Sequence, residues 1–149
     1  MTTIERARPG DLEEILALLA ASQLPLAGLH DHLATTLVAR DGARIVGSAA
    51  LERYADGVLL RSVAVLPECR GRRHGRDLTE AAIRLAQACR TPAIYLLTTT
   101  AEDYFRQYGF QPISRDDVPA TVQASVEFRS ACPASATVMR KTITAPSSD

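Results

Sequence analysis

The spacing of apolar residues along the chain predicts a succession of amphipathic helices and short strands. Near the N-terminus, four apolar residues three and four positions apart predict a helix with one buried face. They are Leu12, Ile15, Leu16 and Leu19. Asp11 and Glu14 are spaced as in a capping box, which predicts where this helix begins. The same apolar spacing predicts a longer helix at 75–90, and shorter helices are expected at 101–108 and from Pro119.

Strands are predicted where apolar residues alternate with polar ones or form short continuous runs. Residues 58–66 are apolar almost throughout, which predicts a strand in the centre of a sheet. Asp41-Gly42 is a hairpin turn signal between two strands. A helical crossover from 58–66 to a strand at 93–99 would make that pair parallel. The remaining predicted strands are 2–8, 37–40, 44–53, 110–113 and 136–143.

The order of these elements predicts an α+β fold built on a mixed α/β sheet. We expect about seven strands, mostly antiparallel, with a parallel fourth and fifth pair and flanking helices. Alternating strand and helix units are too few for a doubly wound sheet. The length favours a single domain over residues 1–144 with a frayed tail at 145–149. Residues 23–33 are too interrupted for a long helix, and we expect a loop with a short helix that acts as a lid.

Composition narrows the classes of partner. The chain has 149 residues, is 46% apolar and carries no formal net charge, so it lacks a broad basic face for a nucleic acid or a membrane surface. Cys69, Cys89 and Cys132 are odd in number and widely spaced, which argues against a disulfide framework and a zinc site. No apolar run approaches the ~20 residues of a membrane helix. We therefore expect a cytoplasmic protein without a metal.

Positive charge is concentrated in one loop. Of the 17 basic residues 16 are arginine, and four of these lie within residues 70–76, where the predicted central strand leads into the helix at 75–90. A loop at that junction directs backbone N–H groups and the positive end of the helix dipole at an anion, and glycine lets a phosphate approach. The segment therefore predicts a site for a small polyphosphate. Its residues are Arg70, Gly71, Arg72, Arg73, His74, Gly75 and Arg76.

Two stretches of the chain resemble the GNAT superfamily of N-acetyltransferases. The loop at 70–75 is similar to the family's pantetheine-pyrophosphate loop, Arg/Gln-x-x-Gly-x-Gly/Ala, with Arg73 in place of the middle glycine. The second stretch reads Ala101-x-x-Tyr104-Phe105-x-x-x-Gly109-Phe110. A narrower resemblance is to the arsenic-resistance N-acetyltransferases, and it rests on the strings at 57–65, 95–101, 126–128 and 132–136.

These resemblances imply a GNAT-like sheet and an enzyme that transfers acetyl from acetyl-CoA to the amine of a small amino-acid-like substrate. An organoarsenical or phosphinate glutamate analogue is one candidate, which would make the reaction a detoxification. Two alternatives stay open. The protein could acetylate a protein amine or another small amine, or it could be a non-catalytic acyl-CoA-binding sensor. A homodimer is also left open.

The resemblance further implies roles on the donor side of the reaction. In the family, N–H groups freed by a bulge in the fourth strand bind the pantetheine arm and the thioester carbonyl. This implies the same role for the main chain of Val63, Ala64 and Val65, although both valines also suit the core. The family's general acid, a tyrosine, falls on Phe105 here. Tyr104 or Tyr108 could serve as the acid instead, and an ordinary half-buried aromatic is the alternative for each.

On the acceptor side, Glu52 is the nearest candidate for a general base, and a solvated charge at a strand end is the alternative. Arg61 is charged within an apolar strand and needs a partner. A guanidinium binds a carboxylate or phosphinate through two hydrogen bonds, so we predict that Arg61 holds the substrate. A structural pair of Arg61 with Glu52 or Glu127 is the alternative. By alternation, Arg61 should share a face with residues 63 and 65.

Several residues have weaker signals. Strand hydroxyls are candidate donors to the substrate, although they are more often structural. They are Ser62, Thr98 and Thr99. His30 and His32 are two residues apart, so one helix face would not hold both, and we expect lid or surface positions for them. A nucleophilic Cys132 is not favoured.

Overall fold

The computed structural model describes residues 2–131 and 135–143, so Cys132 and the predicted frayed tail lie outside the described residues. The strands are β1 Thr2–Arg6, β2 Thr36–Asp41, β3 Arg44–Tyr54, β4 Gly57–Val65, β5 Ala93–Thr98, β6 Gln111–Ile113 and β7 Thr137–Thr142. The helices are α1 Leu12–Ala21, α2 His74–Ala88, α3 Glu102–Arg106 and α4 Ala120–Gln123. Turns of 3-10 helix lie at Pro9–Asp11, Leu29–Thr35, Pro67–Cys69 and Arg115–Asp117, and a π-helical turn at Glu127–Ala131.

The strands form a mixed sheet in the order β1-β2-β3-β4-β5-β7-β6. β4 and β5 are parallel, with Val58 opposite Ile94 and Leu59 opposite Tyr95, because a helical crossover joins them. The pairs β1–β2, β2–β3, β5–β7 and β6–β7 are antiparallel. The predicted mixed α/β sheet with a parallel fourth and fifth pair is therefore confirmed. Most predicted element ends differ from those observed by one or two residues.

Two compact units make up the described part of the chain. The first combines the residues up to Glu52 with Leu60–Arg84, and the second combines Arg53–Leu59 with the residues from Leu85 onward. β3 and β4 each run through both units. The single domain expected over residues 1–144 stays a prediction.

The core of the first unit is formed by the apolar face of α1 and its neighbours. Its buried cluster comprises Ile15, Leu18, Leu19, Leu29, Val38, Ile45, Ala50 and Ala64. The predicted face of α1 contributes Ile15 and Leu19 to this cluster, and its Leu12 and Leu16 pack against it partly buried, because residues three and four apart share one helix face. Leu18, which the prediction left out, is also buried. Burial of these side chains is what holds α1 in place, since an isolated helix of 10 residues is marginal in water.

The start of α1 differs from the prediction. Asp11 accepts hydrogen bonds from the Arg40 guanidinium at 2.7 Å and from the backbone N–H of Arg8 at 2.8 Å. The Arg40 hydrogen bond and then the Arg8 backbone hydrogen bond lower the pKa of the Asp11 carboxyl group. Glu14 does not cap the helix; its Oε2 accepts the N–H of Ile45 at 2.7 Å. The predicted Asp11–Glu14 capping box is therefore wrong, because both carboxylates bind partners outside the helix.

The core of the second unit gathers Leu59, Ala93, Tyr95, Val118, Val122 and Val138. Gly57 lies against this core without a side chain. A Cβ built there would be 2.8 Å from a ring carbon of Tyr95, which is closer than real Cβ atoms come to a neighbour. The start of β4 therefore requires glycine for close packing.

Among the described helices, none is long and apolar enough to cross a membrane. The longest of them, α2, has 15 residues. Within residues 2–131 and 135–143, no group of three or more His, Cys, Asp or Glu side chains could hold a metal ion.

Candidate active site

β4 departs from regular strand geometry at Ser62. Its φ is +60°, in the left-handed region that residues other than glycine rarely adopt. The Ser62 carbonyl accepts a hydrogen bond from Ser48 Oγ at 2.7 Å, and the Ser62 hydroxyl accepts one from Arg61 Nε at 3.1 Å. Arg61 and Ser62 are both buried, whereas Val63 and Val65 are half-buried. The left-handed residue interrupts the regular alternation of β4, and the expected common face of Arg61, Val63 and Val65 stays a prediction.

The guanidinium of Arg61 lies in the interior of the first unit. Its side chain is 0% exposed. Nη1 donates to Glu52 Oε2 at 2.8 Å and to the Ala27 carbonyl at 2.7 Å, and Nη2 donates to the Pro25 carbonyl at 3.0 Å. A buried charge requires such a counter-charge and hydrogen bonds. Arg61 therefore ties residues 25–27 to β4, and the structural pair with Glu52 that the sequence left open is present.

His32 approaches the other carboxylate oxygen of Glu52. The distance from His32 Nε2 to Glu52 Oε1 is 3.5 Å. The side chains of Arg61, Glu52 and His32 are 0%, 2% and 23% exposed, so this group runs from the interior towards solvent.

Sequence reasoning missed the contact of His32 with Glu52. The sequence gives no reason to treat His30 and His32 differently. In the structure, however, His30 is 66% exposed beside Asp31, whereas His32 is largely buried. The sequence did contain one signal for such a contact: Glu52 and Arg61 are charged residues in apolar strands, and charged groups there need polar neighbours. Which residue would supply them depends on the fold.

The arginine-rich loop leads from the turn at Pro67–Cys69 into α2. Gly71 and Arg73 have φ values of +83° and +69°, so the chain passes twice through the left-handed region before α2 begins at His74. The Arg73 carbonyl accepts the backbone N–H of Asp77 at 2.9 Å, which closes the first helical turn. The four arginine side chains of the loop and helix start, Arg70, Arg72, Arg73 and Arg76, are exposed.

Arg73 has the backbone conformation of a glycine. It stands where the GNAT loop pattern has its middle glycine, and it adopts a left-handed φ that costs an L-residue free energy. Together with Gly71 it forms a turn of successive backbone N–H groups at the positive end of a 15-residue helix. This arrangement suits an anion, as the sequence predicted.

In the second unit, Tyr104 and Tyr108 form a pair one helical turn apart. Tyr108 Oη donates a hydrogen bond to Tyr104 Oη at 3.2 Å, and the ring centroids are 5.3 Å apart. Both side chains are half-buried. Phe105 is buried and packs edge-to-face on Phe110 with centroids 5.8 Å apart. Because position 105 is a phenylalanine, the phenol hydroxyls of this segment are those of Tyr104 in α3 and Tyr108 just after it.

The structure brings part of the predicted site together. Glu52, Arg61 and Ser62 lie in contact within the first unit. Thr98 and Thr99 belong to the second unit; Thr98 Oγ1 accepts the Ala101 N–H at 2.9 Å, and Thr99 is exposed. The roles of all these residues in binding or catalysis stay predictions.

Comparison with known proteins identifies a family that matches this chain. Residues 32–112, more than half of the chain, match the family model of the acetyltransferase (GNAT) domain. The amino-acid acetyltransferase of Aeromonas salmonicida is 31% identical over 90 residues, which are 59% of this chain and 20% of that protein. The chain thus spans about a fifth of the length of this curated relative.

Solved structures share the fold. N-acetylglutamate synthase from Neisseria gonorrhoeae, complexed with coenzyme A and N-acetyl-glutamate, superposes with a TM-score of 0.82 at 22% identity, covering 97% of this chain and 35% of that one. An acetyltransferase of the GNAT family from Staphylococcus aureus Mu50 superposes with a TM-score of 0.80 at 18% identity, covering 97% of this chain and 100% of that one. At these identities the likeness shows the fold alone.

Proposed function

The chain belongs to the acetyltransferase (GNAT) domain family, and on this premise we propose that it transfers acetyl from acetyl-CoA to the amine of a small amino-acid-like substrate. Two relatives support the donor and the class of acceptor. One is an amino-acid acetyltransferase, and the other is an N-acetylglutamate synthase that holds coenzyme A and N-acetyl-glutamate. Because the chain spans only 20% and 35% of these proteins, its activity and its acceptor are both part of the proposal.

The observation that carries the proposal is the loop at 70–73 with the start of α2. It combines four exposed guanidinium groups with two left-handed residues and a helix N-terminus. Coenzyme A bears a pyrophosphate, and guanidinium groups and helix N-termini are suited to phosphate oxygens. Because the chain has no formal net charge, this local positive charge favours a small anionic ligand over an extended polyanion.

The main chain of Val63–Val65 is proposed to receive the pantetheine arm and to polarise the thioester carbonyl. Ser62 interrupts the strand immediately before these residues, and the parallel ladder of β4 with β5 comprises the pairs at Val58 and Leu59. Strand irregularities often stand beside active sites, where they redirect backbone groups. Backbone N–H groups aimed at a developing oxyanion stabilise the tetrahedral intermediate.

Proton transfer is assigned to two groups. Glu52 takes a proton from the acceptor ammonium, directly or through water, so that the neutral amine can attack the thioester. Tyr104 is proposed to protonate the leaving sulfur. A thiol with a pKa near ~8.5 leaves adequately as thiolate, so this acid is expected to add little to the rate.

For Arg61 the contacts favour the structural reading. Its donors are engaged by Glu52 and by the carbonyls of residues 25 and 27. A carboxylate or phosphinate of the substrate would bind Arg61 only if Glu52 and the carbonyls of residues 25 and 27 released the guanidinium. The role of Arg61 as a substrate clamp therefore stays a prediction.

As the specific acceptor we propose an organoarsenical or phosphinate glutamate analogue. The resemblance of 57–65 and 95–101 to the arsenic-resistance N-acetyltransferases supports this choice. One observation favours a second candidate function. Phe105 is buried where the family has a catalytic tyrosine, as would suit an acyl-CoA-binding sensor that does not turn over.

Coenzyme A thiol release by the purified protein tests the proposal. The panel contains amino acids, their arsenic- and phosphorus-bearing glutamate analogues, and a lysine peptide. Arg70→Ala should raise the KM for acetyl-CoA on the order of tenfold, because it removes a charge-assisted contact. Arg84→Ala changes an exposed arginine towards the C-terminal end of α2 and should leave the KM within about twofold.

Two other outcomes of these measurements would speak against catalysis. Acetyl-CoA binding by calorimetry without turnover of any amine supports the sensor. Absence of both binding and turnover contradicts the proposed function.

A further inference from the structure

Glu52 is buried in a way that makes proton exchange with solvent difficult. Its side chain is 2% exposed, and Oε2 pairs with Arg61 Nη1 at 2.8 Å. The Arg61 guanidinium depends on this carboxylate as its counter-charge in the interior. A catalytic base has to return to its carboxylate form after each turnover, so a proton taken up by Glu52 needs a route to solvent.

His32 is the neighbour that connects Glu52 with solvent. Its Nε2 lies 3.5 Å from Glu52 Oε1, whereas Arg61 Nη1 donates to the other carboxylate oxygen, Oε2. Its side chain is 23% exposed, so one imidazole can face Glu52 and still reach water. Apo structures often show catalytic contacts at such slightly long distances.

The backbone holds His32 in this position. At φ −122° and ψ 21°, His32 interrupts the helical geometry of Leu29–Thr35. Its carbonyl accepts hydrogen bonds from Thr36 Oγ1 at 3.0 Å and Thr35 Oγ1 at 3.3 Å, and the Thr35 hydroxyl also contacts the carbonyl of Leu51, the residue before Glu52. The turn is thus fastened to β3 beside the carboxylate.

We propose that His32 is the proton exit of Glu52. This rests on the proposed function. The acceptor ammonium gives one proton to the Glu52 carboxylate, and the resulting amine attacks the thioester carbonyl. The C–N bond forms and the C–S bond breaks. The sulfur leaves with the electron pair and takes the second amine proton by way of the Tyr104 hydroxyl. Glu52 passes its proton to the His32 imidazole, which releases it to water, so that Arg61 regains its counter-charge.

Among the described residues, the contacts place two charged groups around His32: Glu52 from β3 and, paired with Glu52, Arg61 from β4. On the same turn, His30 and Asp31 pair with each other at 3.3 Å and are 66% and 70% exposed. His30 is therefore a matched control, because it is a histidine of the same turn with a solvated partner.

The test is chemical rescue in the thiol-release assay, with an amine that the wild-type protein acetylates. His32→Ala should lower kcat about a hundredfold, and added imidazole should restore activity in proportion to its basic form. His30→Ala should stay within about twofold of wild type and should not respond to imidazole. Glu52→Gln should lose activity and should not be rescued, because the group that imidazole would relieve is absent.

Activity equal to wild type in His32→Ala overturns the inference. So does a loss that imidazole fails to relieve between pH 6 and 9 in a variant that still binds acetyl-CoA, because His32 would then be structural only. A second measurement needs no turnover: Glu52→Gln should change the His32 ring shifts in NMR spectra and leave those of His30 unchanged, and unchanged His32 shifts also overturn the inference. Wild-type protein that acetylates no amine contradicts the proposed function instead.

Discussion

Replacing Arg73 by glycine should make the protein more stable, although it removes an arginine from the loop. Arg73 has a φ of +69°, its side chain is exposed, and its side chain is found in none of the described hydrogen bonds or ion pairs. The left-handed conformation costs an L-residue about 1–2 kcal/mol, and glycine adopts it without that cost. The substitution therefore relieves strain in the folded state.

The gain is partly offset in the unfolded state. Glycine has more backbone freedom to lose on folding, which costs about 0.5–1 kcal/mol. The net increase in the free energy of unfolding should therefore be about 0.5–1 kcal/mol. For a chain of 149 residues this corresponds to a rise in Tm of about 2–3 °C.

Arg72→Gly is the matched control. Arg72 is the preceding residue, is also exposed and has no left-handed φ. The control loses the same charge and gains the same unfolded-state freedom, so it should lower the free energy of unfolding by about 0.5–1 kcal/mol. The difference between the two variants isolates the cost of the left-handed backbone, about 1–2 kcal/mol.

Urea unfolding followed by circular dichroism measures both variants, and calorimetry gives Tm. Equal stability of the two variants within error would refute the reasoning, because the strain assigned to Arg73 would then be absent. A lower Tm for Arg73→Gly than for Arg72→Gly would refute it as well and would point to an unrecognised stabilising contact of the Arg73 side chain.

Three further predictions concern stability. Arg61→Met should lower the free energy of unfolding by about 3–5 kcal/mol in urea, because Glu52 would stay buried without its counter-charge. Asp11→Asn should lower it at pH 7 by about 1–2 kcal/mol. Since the Arg40 hydrogen bond lowers the pKa of Asp11 in the folded state, the carboxylate contribution is present above the usual Asp range and is lost as pH falls through the lowered value. The deficit should therefore shrink in urea titrations as the pH is taken below the usual Asp range. Gly57→Ala should cost about 1–3 kcal/mol in calorimetry, because the new Cβ would meet a buried tyrosine ring at 2.8 Å.

Each of these has its own control. The double variant Arg61→Met, Glu52→Gln should lose less than the sum of the single losses, and strict additivity would argue against coupling. An Asp11→Asn deficit that persists unchanged in acid would mean that the carboxylate charge is not its source. Gly10→Ala, where a Cβ meets nothing within 4 Å, should be nearly neutral; a loss equal to that of Gly57→Ala would rule out the packing argument.

Local patterns predicted the strands and the α-helices, although not most of the short 3-10 and π-helical turns. The apolar spacing of α1 and α2 and the run at 58–66 placed these elements within one or two residues, because helix and strand periods are properties of neighbouring residues. The parallel pairing of β4 with β5 followed from the helix between them, since a crossover determines strand direction. The position of the arginine-rich loop was also predictable, because its arginines and glycines are adjacent in the chain.

The capping box failed for a reason of the opposite kind. Asp11 and Glu14 have the required spacing, but Arg40 and the backbone N–H of Ile45 compete for their carboxylates. Both competitors lie about 30 positions further along the chain. A short pattern contains no information about such partners.

The sequence by itself determined the elements, their order and the location of the arginine loop, because these depend on contacts and spacings within a few residues. Only the tertiary structure decided the left-handed turn at Ser62, the partners of Arg61 and the place of His32 beside Glu52. Arg61 binds the Pro25 carbonyl across 36 positions of chain, and His32 reaches Glu52 across 20. A buried charge requires partners, but packing of the whole chain determines which distant groups come within hydrogen-bond distance of it.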